Sequence, residues 1–197
     1  MKLWIDAAEA TSARVFGMSL IERHLKAVRH LKLDVSEVLI DVGTGLVPEY
    51  RAEPRLRCPV RIVQGAGSCG ARLAAVLDHE PILAVDAATL VDARLYSHLA
   101  QHSGSKIARG ADVEEGAVIA RVEPGDRDRI AAAATRLSAA VAQLPPLTQA
   151  EFPAFIRKLR RSTPYYLFRI ATAPQARAVE RFLFWSNYKG STDLFTK

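Results

Sequence analysis

The chain has 197 residues, of which 49% are hydrophobic, and this suffices for one full core in a domain of ordinary size. The net charge of +6 is unevenly distributed: residues 1–150 carry 18 basic and 18 acidic residues, whereas residues 151–197 carry 9 basic and 3 acidic residues. The balanced charge of residues 1–150 argues against nucleic-acid binding by that part of the chain. Cys58 and Cys69 are too few for a disulfide framework or a four-cysteine zinc site, and no run reaches the roughly 18 apolar residues of a membrane span. We therefore expect a soluble fragment in a reducing, cytoplasmic setting.

Apolar runs and helical spacings alternate along the first 144 residues. The strands are continuous apolar runs that end near glycine or aspartate, which is typical of strands buried on both faces. The predicted elements, in chain order, are strand 2–6, helix 20–31, strands 38–42 and 60–63, helix 71–77, strand 81–85, helix 92–101, strands 106–108 and 117–122, and an alanine-rich helix 126–144. This order predicts an α/β, Rossmann-like fold of three α/β/α layers around a mostly parallel sheet.

Pro145 and Pro146 end this pattern, since proline cannot continue a helix. We predict a domain over residues 1–146 and a helical, basic and aromatic connector over residues 147–197. Two interpretations of the connector stay open: a helical hairpin packed on the front domain, or a segment that contacts an anionic membrane surface. The residues assigned to the basic cluster and to the aromatic anchor are Arg157, Lys158, Arg160, Arg161 and Trp185.

Two stretches of the front domain resemble MobA-like and sugar-phosphate nucleotidyltransferases. Val15-Phe16-Gly17-Met18-Ser19-Leu20 is similar to the segment in which a Gly-Lys-Pro-Leu run opens the first helix. Residues 65–75 followed by residues 81–86 resemble that family's Gly/Ser loop against the base and its strand ending in a metal-binding aspartate, here Asp86. The resemblance covers most of residues 1–125, and it implies a nucleotidyltransferase-type fold and a CTP-type nucleotide as partner.

The end of the chain resembles a different family. Residues 180–197, with Tyr188-Lys189-Gly190-Ser191-Thr192-Asp193, look like the connector that precedes the membrane domain of bacterial CDP-alcohol phosphatidyltransferases. Some of those proteins, including fused inositol-1-phosphate cytidylyltransferase enzymes, carry a nucleotidyltransferase domain in front. The resemblance implies a membrane domain downstream in the same polypeptide, a role for Lys189, Thr192 and Asp193 in the connector, and a location at the cytoplasmic face of the membrane. The catalytic Asp-Gly-x2-Ala-Arg signature of that family is not in this sequence, so we expect no phosphatidyl transfer by these 197 residues.

The residues that would hold a nucleotide are only partly suited to it. Where active relatives have Gly-x-Gly-x-Arg, residues 7–14 contain no glycine, and the side chains at these positions obstruct the close approach of phosphate. In addition, Met18 stands where the family has lysine. Arg14 could pair with a phosphate or be a solvated loop residue. Asp86 could hold Mg²⁺ or simply cap the next turn. The nucleotide-binding residues, if the function is retained, are Ala7, Ala8, Arg14, Gly65, Gly67, Ser68 and Asp86, of which Asp86 is the metal ligand.

The glycine cluster at residues 65–70 precedes a predicted helix. The free N–H groups of that helix could accept an anion, and the glycines could equally serve only the strand-to-helix turn. The sequence therefore favours a degenerate cytidylyltransferase-like domain that supports a CDP-alcohol phosphatidyltransferase in phospholipid head-group transfer. The alternative is an active CTP-dependent enzyme that makes a CDP-activated polyol or sugar phosphate with Mg²⁺.

Overall fold

A computed structural model describes residues 1–110, 116–148, 150–152, 155–156 and 161–187. Every helix and strand predicted through residue 122 is present in the predicted order, and three short strands that were not predicted, β2, β3 and β7, occur among them. The elements are β1 (Lys2–Asp6), β2 (Arg14–Val15), β3 (Met18–Ser19), α1 (Leu20–Leu31), β4 (Glu37–Asp41), β5 (Val60–Val63), α2 (Cys69–Val76), β6 (Ile82–Asp86), β7 (Thr89–Val91), α3 (Ala93–Gln101), β8 (Lys106–Arg109), β9 (Val118–Val122), a 3-10 helix (Pro124–Arg129), α4 (Leu137–Ala140), β10 (Phe155–Ile156), β11 (Arg161–Ser162), β12 (Leu167–Arg169) and α5 (Ala173–Asn187).

The central sheet has six strands in the order β5-β4-β1-β6-β9-β8. β5, β4, β1 and β6 are parallel, β9 runs antiparallel to both of its neighbours, and β8 therefore runs in the same direction as β6. This mostly parallel sheet confirms the predicted fold class.

Alternate residues of β1 divide the core into two layers, as the two-residue period of a strand requires. Leu3 and Ile5 face a cluster that includes Leu25 of α1 and Leu95 of α3. Trp4, on the other face of β1, packs with residues of α2 and α4. Helices thus cover both faces of the sheet, which makes the fold a three-layer α/β/α sandwich.

α1 begins with a reciprocal cap. The Ser19 hydroxyl accepts the backbone N–H of Glu22, and the Glu22 carboxylate accepts the backbone N–H of Ser19. The helix ends at Leu31, and the capping residue Lys32 that follows it has a left-handed conformation with φ of 51°. α1 therefore starts directly after the β2–β3 hairpin, which fixes that hairpin beside the carboxyl ends of the strands.

The prediction of an alanine-rich helix over residues 126–144 is wrong. A 3-10 helix, turns and the four-residue α4 replace it. The carbonyl of Ala134 accepts the backbone N–H of Gly70, and the carbonyl of Ala132 accepts the Ser68 hydroxyl. Tertiary contacts with the start of α2 thus override the helix propensity of the alanines.

The described part of the segment after residue 146 packs on the front of the chain. β12 pairs antiparallel with β7, with Phe168 opposite Leu90. Ile170 and, in α5, Val179 and Leu183 are buried against Val15 and its neighbours. Phe152 is buried in the core beside α3. The domain boundary at residue 146 stays a prediction, as does any membrane contact.

Candidate functional site

Three aspartates meet at one edge of the sheet. Asp6, Asp41 and Asp86 are the last residues of β1, β4 and β6, and the strand register places Asp6 directly between the other two. Their side chains are 9%, 0% and 11% exposed. Adjacent strands lie about 4.8 Å apart, so three buried carboxylates at this spacing repel one another strongly unless cations accompany them.

Arg72 of α2 supplies the first cation. Its Nη2 lies 3.2 Å from Asp6 Oδ1, and its Nε lies 2.9 Å from Asp41 Oδ1. Its Nη1 donates to the carbonyl of Gly67 at 2.7 Å. The guanidinium therefore joins two strand ends to the glycine loop before α2 and is only 10% exposed.

Arg169 of β12 supplies the second cation, from the far end of the chain. Its Nη1 lies 2.6 Å from Asp86 Oδ2, and its Nη2 lies 3.3 Å from Glu9 Oε2. The other oxygen of Asp86 accepts the backbone N–H of Ala88 at 2.6 Å. Both oxygens of Asp86 thus have protein partners, and β12 holds one of them.

Burial controls the ionisation of the site. Desolvation raises the pKa of Asp6, although the Cys69 thiol, the Ala8 N–H and Arg72 all oppose it. Desolvation likewise raises the pKa of Asp86 against the opposing effect of Arg169. Burial and the neighbouring Asp6 raise the pKa of the Cys69 thiol, so Cys69 is a protonated donor and not a nucleophile.

The arrangement does not fit Mg²⁺. Magnesium in nucleotide-transferring sites takes one or two carboxylates that are free to bind it, together with phosphate oxygens and water. Asp86 instead has a guanidinium on one oxygen and a backbone N–H on the other. Within the described ranges, no group of three His, Cys, Asp or Glu side chains is placed to hold a metal ion. A metal role for Asp86 stays a prediction, and it would require Arg169 to move.

The loop predicted to surround the triphosphate is bonded to the protein itself. The Ala7 N–H donates to the carbonyl of Asp41 at 2.7 Å, and the Ala8 N–H donates to Asp6 Oδ1 at 3.3 Å. Arg14 lies apart from the aspartates, with its Nη1 at 3.3 Å from the carbonyl of Gly17 and 3.9 Å from Glu22 Oε1. The structure therefore brings Ala7, Ala8 and Asp86 together but places Arg14 on the hairpin side.

The glycine loop serves the turn into α2. Gly67 has φ of +113°, which favours glycine, and Ser68 is the N-cap, whose hydroxyl oxygen accepts the Ala71 N–H. The Gly70 N–H already donates to Ala134. Two N–H groups of the first turn thus have protein partners, which favours the structural interpretation of Gly65, Gly67 and Ser68 over an anion site.

Sequence reasoning missed both arginines. Arg72 follows the glycine loop, and Arg169 lies in the apolar run Leu167–Ile170. A charged residue inside an apolar run is a usable signal, because a buried charge is ordinarily paired. Which carboxylate it pairs with could not be read from the sequence, since Arg169 and Asp86 are 83 positions apart.

The structure describes only some of the residues that were predicted to form the connector. Arg157, Lys158, Arg160, Lys189, Thr192 and Asp193 lie outside the described residues, and only the backbone of Arg161 is described. Trp185 of α5 is 64% exposed. Of the helices that the structure describes, none is both long and apolar enough to cross a membrane.

Comparison with solved structures supports the assignment of the fold. HddC from Yersinia pseudotuberculosis, complexed with GMP-PN, is similar over 93% of this chain and 100% of its own, with a TM-score of 0.53 and 7% identity. Apo UDP-glucose pyrophosphorylase is similar over 95% of this chain and 100% of its own, with a TM-score of 0.56 and 9% identity. No protein-family model matches the sequence. No curated protein matches it either. At such identities the likeness concerns the fold, which is of the nucleotidyltransferase type.

Proposed function

We propose that this chain is a degenerate, cytidylyltransferase-like domain that supports a CDP-alcohol phosphatidyltransferase without transferring nucleotides itself. The observation that carries the loss of activity is the ion pair between Arg169 and Asp86, at 2.6 Å. A guanidinium occupies the carboxylate on which the resemblance would place the metal. The absence of glycine from residues 7–14 supports the same conclusion.

The local charge also disfavours a triphosphate. The strand ends and the first loop carry four carboxylates, those of Asp6, Glu9, Asp41 and Asp86. Arg72 and Arg169 face them at hydrogen-bond distance, and Arg136 lies 3.8 Å from Glu9. Both close arginines are already paired, so neither offers a free fork for phosphate oxygens.

The link to phospholipid head-group transfer rests on the resemblance of residues 180–197 to the connector of CDP-alcohol phosphatidyltransferases. The proposal places the domain at the cytoplasmic face of the membrane, next to a membrane domain in the same polypeptide. There it would support or position the downstream enzyme. The sequence that follows Lys197 in the full protein tests this part directly, because the expected Asp-Gly-x2-Ala-Arg signature and membrane spans are either present or not.

Isothermal titration calorimetry with CTP and Mg²⁺ tests the loss of nucleotide binding. We expect no binding at concentrations below about 1 mM, equivalent to a binding free energy weaker than about −4 kcal/mol. CTP binding by the Arg169→Met variant is measured in the same way for comparison, because this substitution removes the guanidinium that is paired with Asp86. Arg61→Met, which removes an exposed arginine paired with Glu37, is the matched control.

The second candidate function is an active CTP-dependent nucleotidyltransferase. The observation that favours it is the juxtaposition of Asp6 and Asp86 at the carboxyl ends of neighbouring parallel strands, where α/β folds bind ligands. Low-micromolar CTP binding by the wild-type chain, together with loss of turnover in Asp86→Asn, would establish this function and overturn the first.

A further inference from the structure

A cavity of about 560 Å³ lies at the end of the sheet opposite to the three aspartates. Its walls are the last turn of α1, the segment that leads into β4, and residues 55–58, which lead into β5. The aspartates stand where β1, β4 and β6 end, whereas the cavity lies before β4 and β5 begin. Its volume falls within the range of small-molecule sites in proteins, about 300–1,000 Å³. The cavity has no part in the function proposed above and needs its own explanation.

The floor of the cavity is apolar and belongs to the core. Val28 and Val35 are 3% and 8% exposed, and both line the cavity. Leu56 and Cys58, which also line it, are partly buried and pack against the same core cluster. Leu56 and Cys58 therefore hold residues 55–58 against the domain.

A buried carboxylate fixes the loop before β5 to α1. The Glu53 side chain is 8% exposed, and its Oε1 lies 3.6 Å from Arg29 Nε. The same oxygen accepts the backbone N–H of Arg55 at 3.4 Å, and the Glu53 carbonyl accepts the backbone N–H of Leu56 at 3.0 Å. Arg29 thus has a carboxylate partner within the protein, so it is not counted among the cations that a ligand would meet.

Three other cations line the cavity without such a partner. Lys32, Arg55 and Arg57 are exposed, and no described carboxylate forms an ion pair with any of them. Asp34 is the only carboxylate among the described lining residues. Three cations against one carboxylate leave two uncompensated positive charges. The dipole of α1 explains a cation at Lys32, beside the helix C-terminus, but it does not explain Arg55 and Arg57, which lie in a different segment.

We propose that this cavity binds a phosphate monoester with a small apolar body. Such a group carries close to two negative charges at pH 7, which matches the uncompensated charge of the cavity. The phosphate group meets Arg55, Arg57 and Lys32, since guanidinium groups pair with phosphate oxygens in bidentate fashion and lysine adds a point charge. The apolar body lies on Val35 and Leu56.

Three phenyl compounds separate the charge of the ligand from its body: phenyl phosphate, phenyl sulfate with a single negative charge, and phenol with none. Each of them, and inorganic phosphate, is titrated at pH 7.5 and low salt into the ¹⁵N-labelled full chain, and amide shifts are followed by NMR. We expect phenyl phosphate to give saturable shifts at Lys32, Arg55 and Arg57 with a Kd below about 1 mM. Phenyl sulfate should bind about tenfold more weakly and inorganic phosphate about fivefold more weakly. Phenol should not saturate below about 10 mM.

Variants assign the effect to named side chains. Arg57→Gln should weaken the binding of phenyl phosphate about fivefold. Arg51→Gln is the matched control and should bind as wild type does, because Arg51 is exposed on the same segment but does not line the cavity. Asp34→Asn removes the carboxylate of the cavity and should tighten binding about threefold, a gain that damage to the fold would not produce.

The phosphate monoester could belong to a free metabolite or to a lipid head group, and one further probe separates these sources. Dihexanoyl phosphatidic acid is a soluble lipid whose head group is a phosphate monoester. If it shifts the same amides at lower concentration than phenyl phosphate does, the site takes a lipid head group. If it binds more weakly than phenyl phosphate, the site takes a free organic phosphate. Both results support the proposal.

The proposal is overturned if phenyl phosphate and phenyl sulfate bind equally, or if Arg51→Gln weakens binding as much as Arg57→Gln does. It is also overturned if no saturable shift appears at Lys32, Arg55 and Arg57 below about 10 mM phenyl phosphate. Shifts concentrated at Ala8 and Gly67 would overturn it as well. In that case the phosphate would bind at the aspartate edge of the sheet, which would contradict the proposed loss of nucleotide binding and not only this inference.

Discussion

Arg169 shows how a single buried side chain links the two ends of the chain. It is 15% exposed, pairs with Asp86 at the end of β6, and reaches Glu9 in the first loop. Because burial raises the pKa of Asp86, the ionised form of this carboxyl depends on the guanidinium for its stability. The pair therefore stabilises the site only while both partners are present.

Replacing Arg169 with methionine should destabilise the fold by about 3 kcal/mol at pH 7, since it leaves Asp86 buried without a cation. The loss should be smaller at pH 4.5, because protonation of Asp86 then relieves the uncompensated charge. Urea unfolding at both pH values measures it. Arg61→Met, in an exposed pair with Glu37, should change little. Equal losses in the two variants would contradict the assigned role of Arg169.

Among the described residues, His24 is a buried group whose ionisation makes the stability depend on pH. It is 2% exposed, and its Nδ1 shares a hydrogen bond with the Tyr96 hydroxyl. Its Nε2 is buried and has no hydrogen-bond partner among the described residues. The backbone of Asp86 nearby favours the protonated ring. Burial lowers the pKa of His24 to about 4 and outweighs the effect of that backbone. The ring is therefore neutral in the folded protein at pH 7.

The pKa of His24 is lower in the folded state than the 6.5 of the unfolded chain, so the folded state binds fewer protons between pH 4 and 6.5. The contribution of the neutral His24 ring to the free energy of unfolding is complete above pH 6.5. It is lost as the pH falls toward 4, and the total loss is about 3 kcal/mol. Urea unfolding across this range should give a steeper loss for wild type than for His24→Gln. The exposed His79→Gln is the control. Parallel curves for wild type and His24→Gln would show that His24 is not the titrating group.

At the scale of elements, α2 is in close contact with the turn at residues 131–134. A Cβ added at Gly70 would lie 2.0 Å from the carbonyl oxygen of Ala131. Alanine is normally favoured over glycine inside a helix by about 1 kcal/mol. The sign of the effect of Gly70→Ala therefore tells whether this turn sits against the helix.

Gly70→Ala should destabilise the fold by about 2 kcal/mol, because the turn must move to admit the methyl group. Gly125→Ala is the matched control, since nothing lies within 4 Å of its added Cβ. Chemical denaturation of both variants measures the difference. If Gly70→Ala instead raises the stability, the turn does not close on α2.

The same contact explains how far the sequence could predict the fold. Periodicity predicted the six strands of the central sheet and the helices α1, α2 and α3, because each buries a continuous apolar run or stripe in the sheet or on it. It did not predict the short strands β2, β3 and β7. The alanines at residues 131–134 have high helix propensity, yet they form a turn whose partners, Ser68 and Gly70, are more than 60 positions away. Local patterns carry no information about such contacts. Asp86 was predicted as a site residue from its strand end, whereas Arg72 and Arg169 depend on tertiary pairing.

At the scale of the whole molecule, helix α5, in the segment after residue 146, has one buried side and one exposed side. Ala176, Val179 and Leu183 bury one side of α5 against the first loop and hairpin, and the Phe16 N–H donates to Glu180 Oε1 at 2.5 Å. The other side exposes Phe184 and Trp185, at 56% and 64%. Because residues 151–197 hold the whole surplus of positive charge, this side of α5 is where we expect contact with an anionic membrane.

Vesicle co-sedimentation of the full chain tests this expectation without removing residues that stabilise the core. With vesicles of phosphatidylglycerol and phosphatidylcholine in equal parts, the wild-type chain should sediment at low salt, since each basic residue near an anionic surface contributes about 1 kcal/mol. Phe184→Ser combined with Trp185→Ser should lower the partition coefficient about tenfold, because charge alone is screened within a Debye length and aromatic insertion sustains binding. Phe16→Ser, which removes an aromatic residue 54% exposed on the hairpin, should bind as wild type does. If the wild-type chain stays in the supernatant, or binds pure phosphatidylcholine equally well, α5 is only a packing element and the proposed membrane contact is wrong.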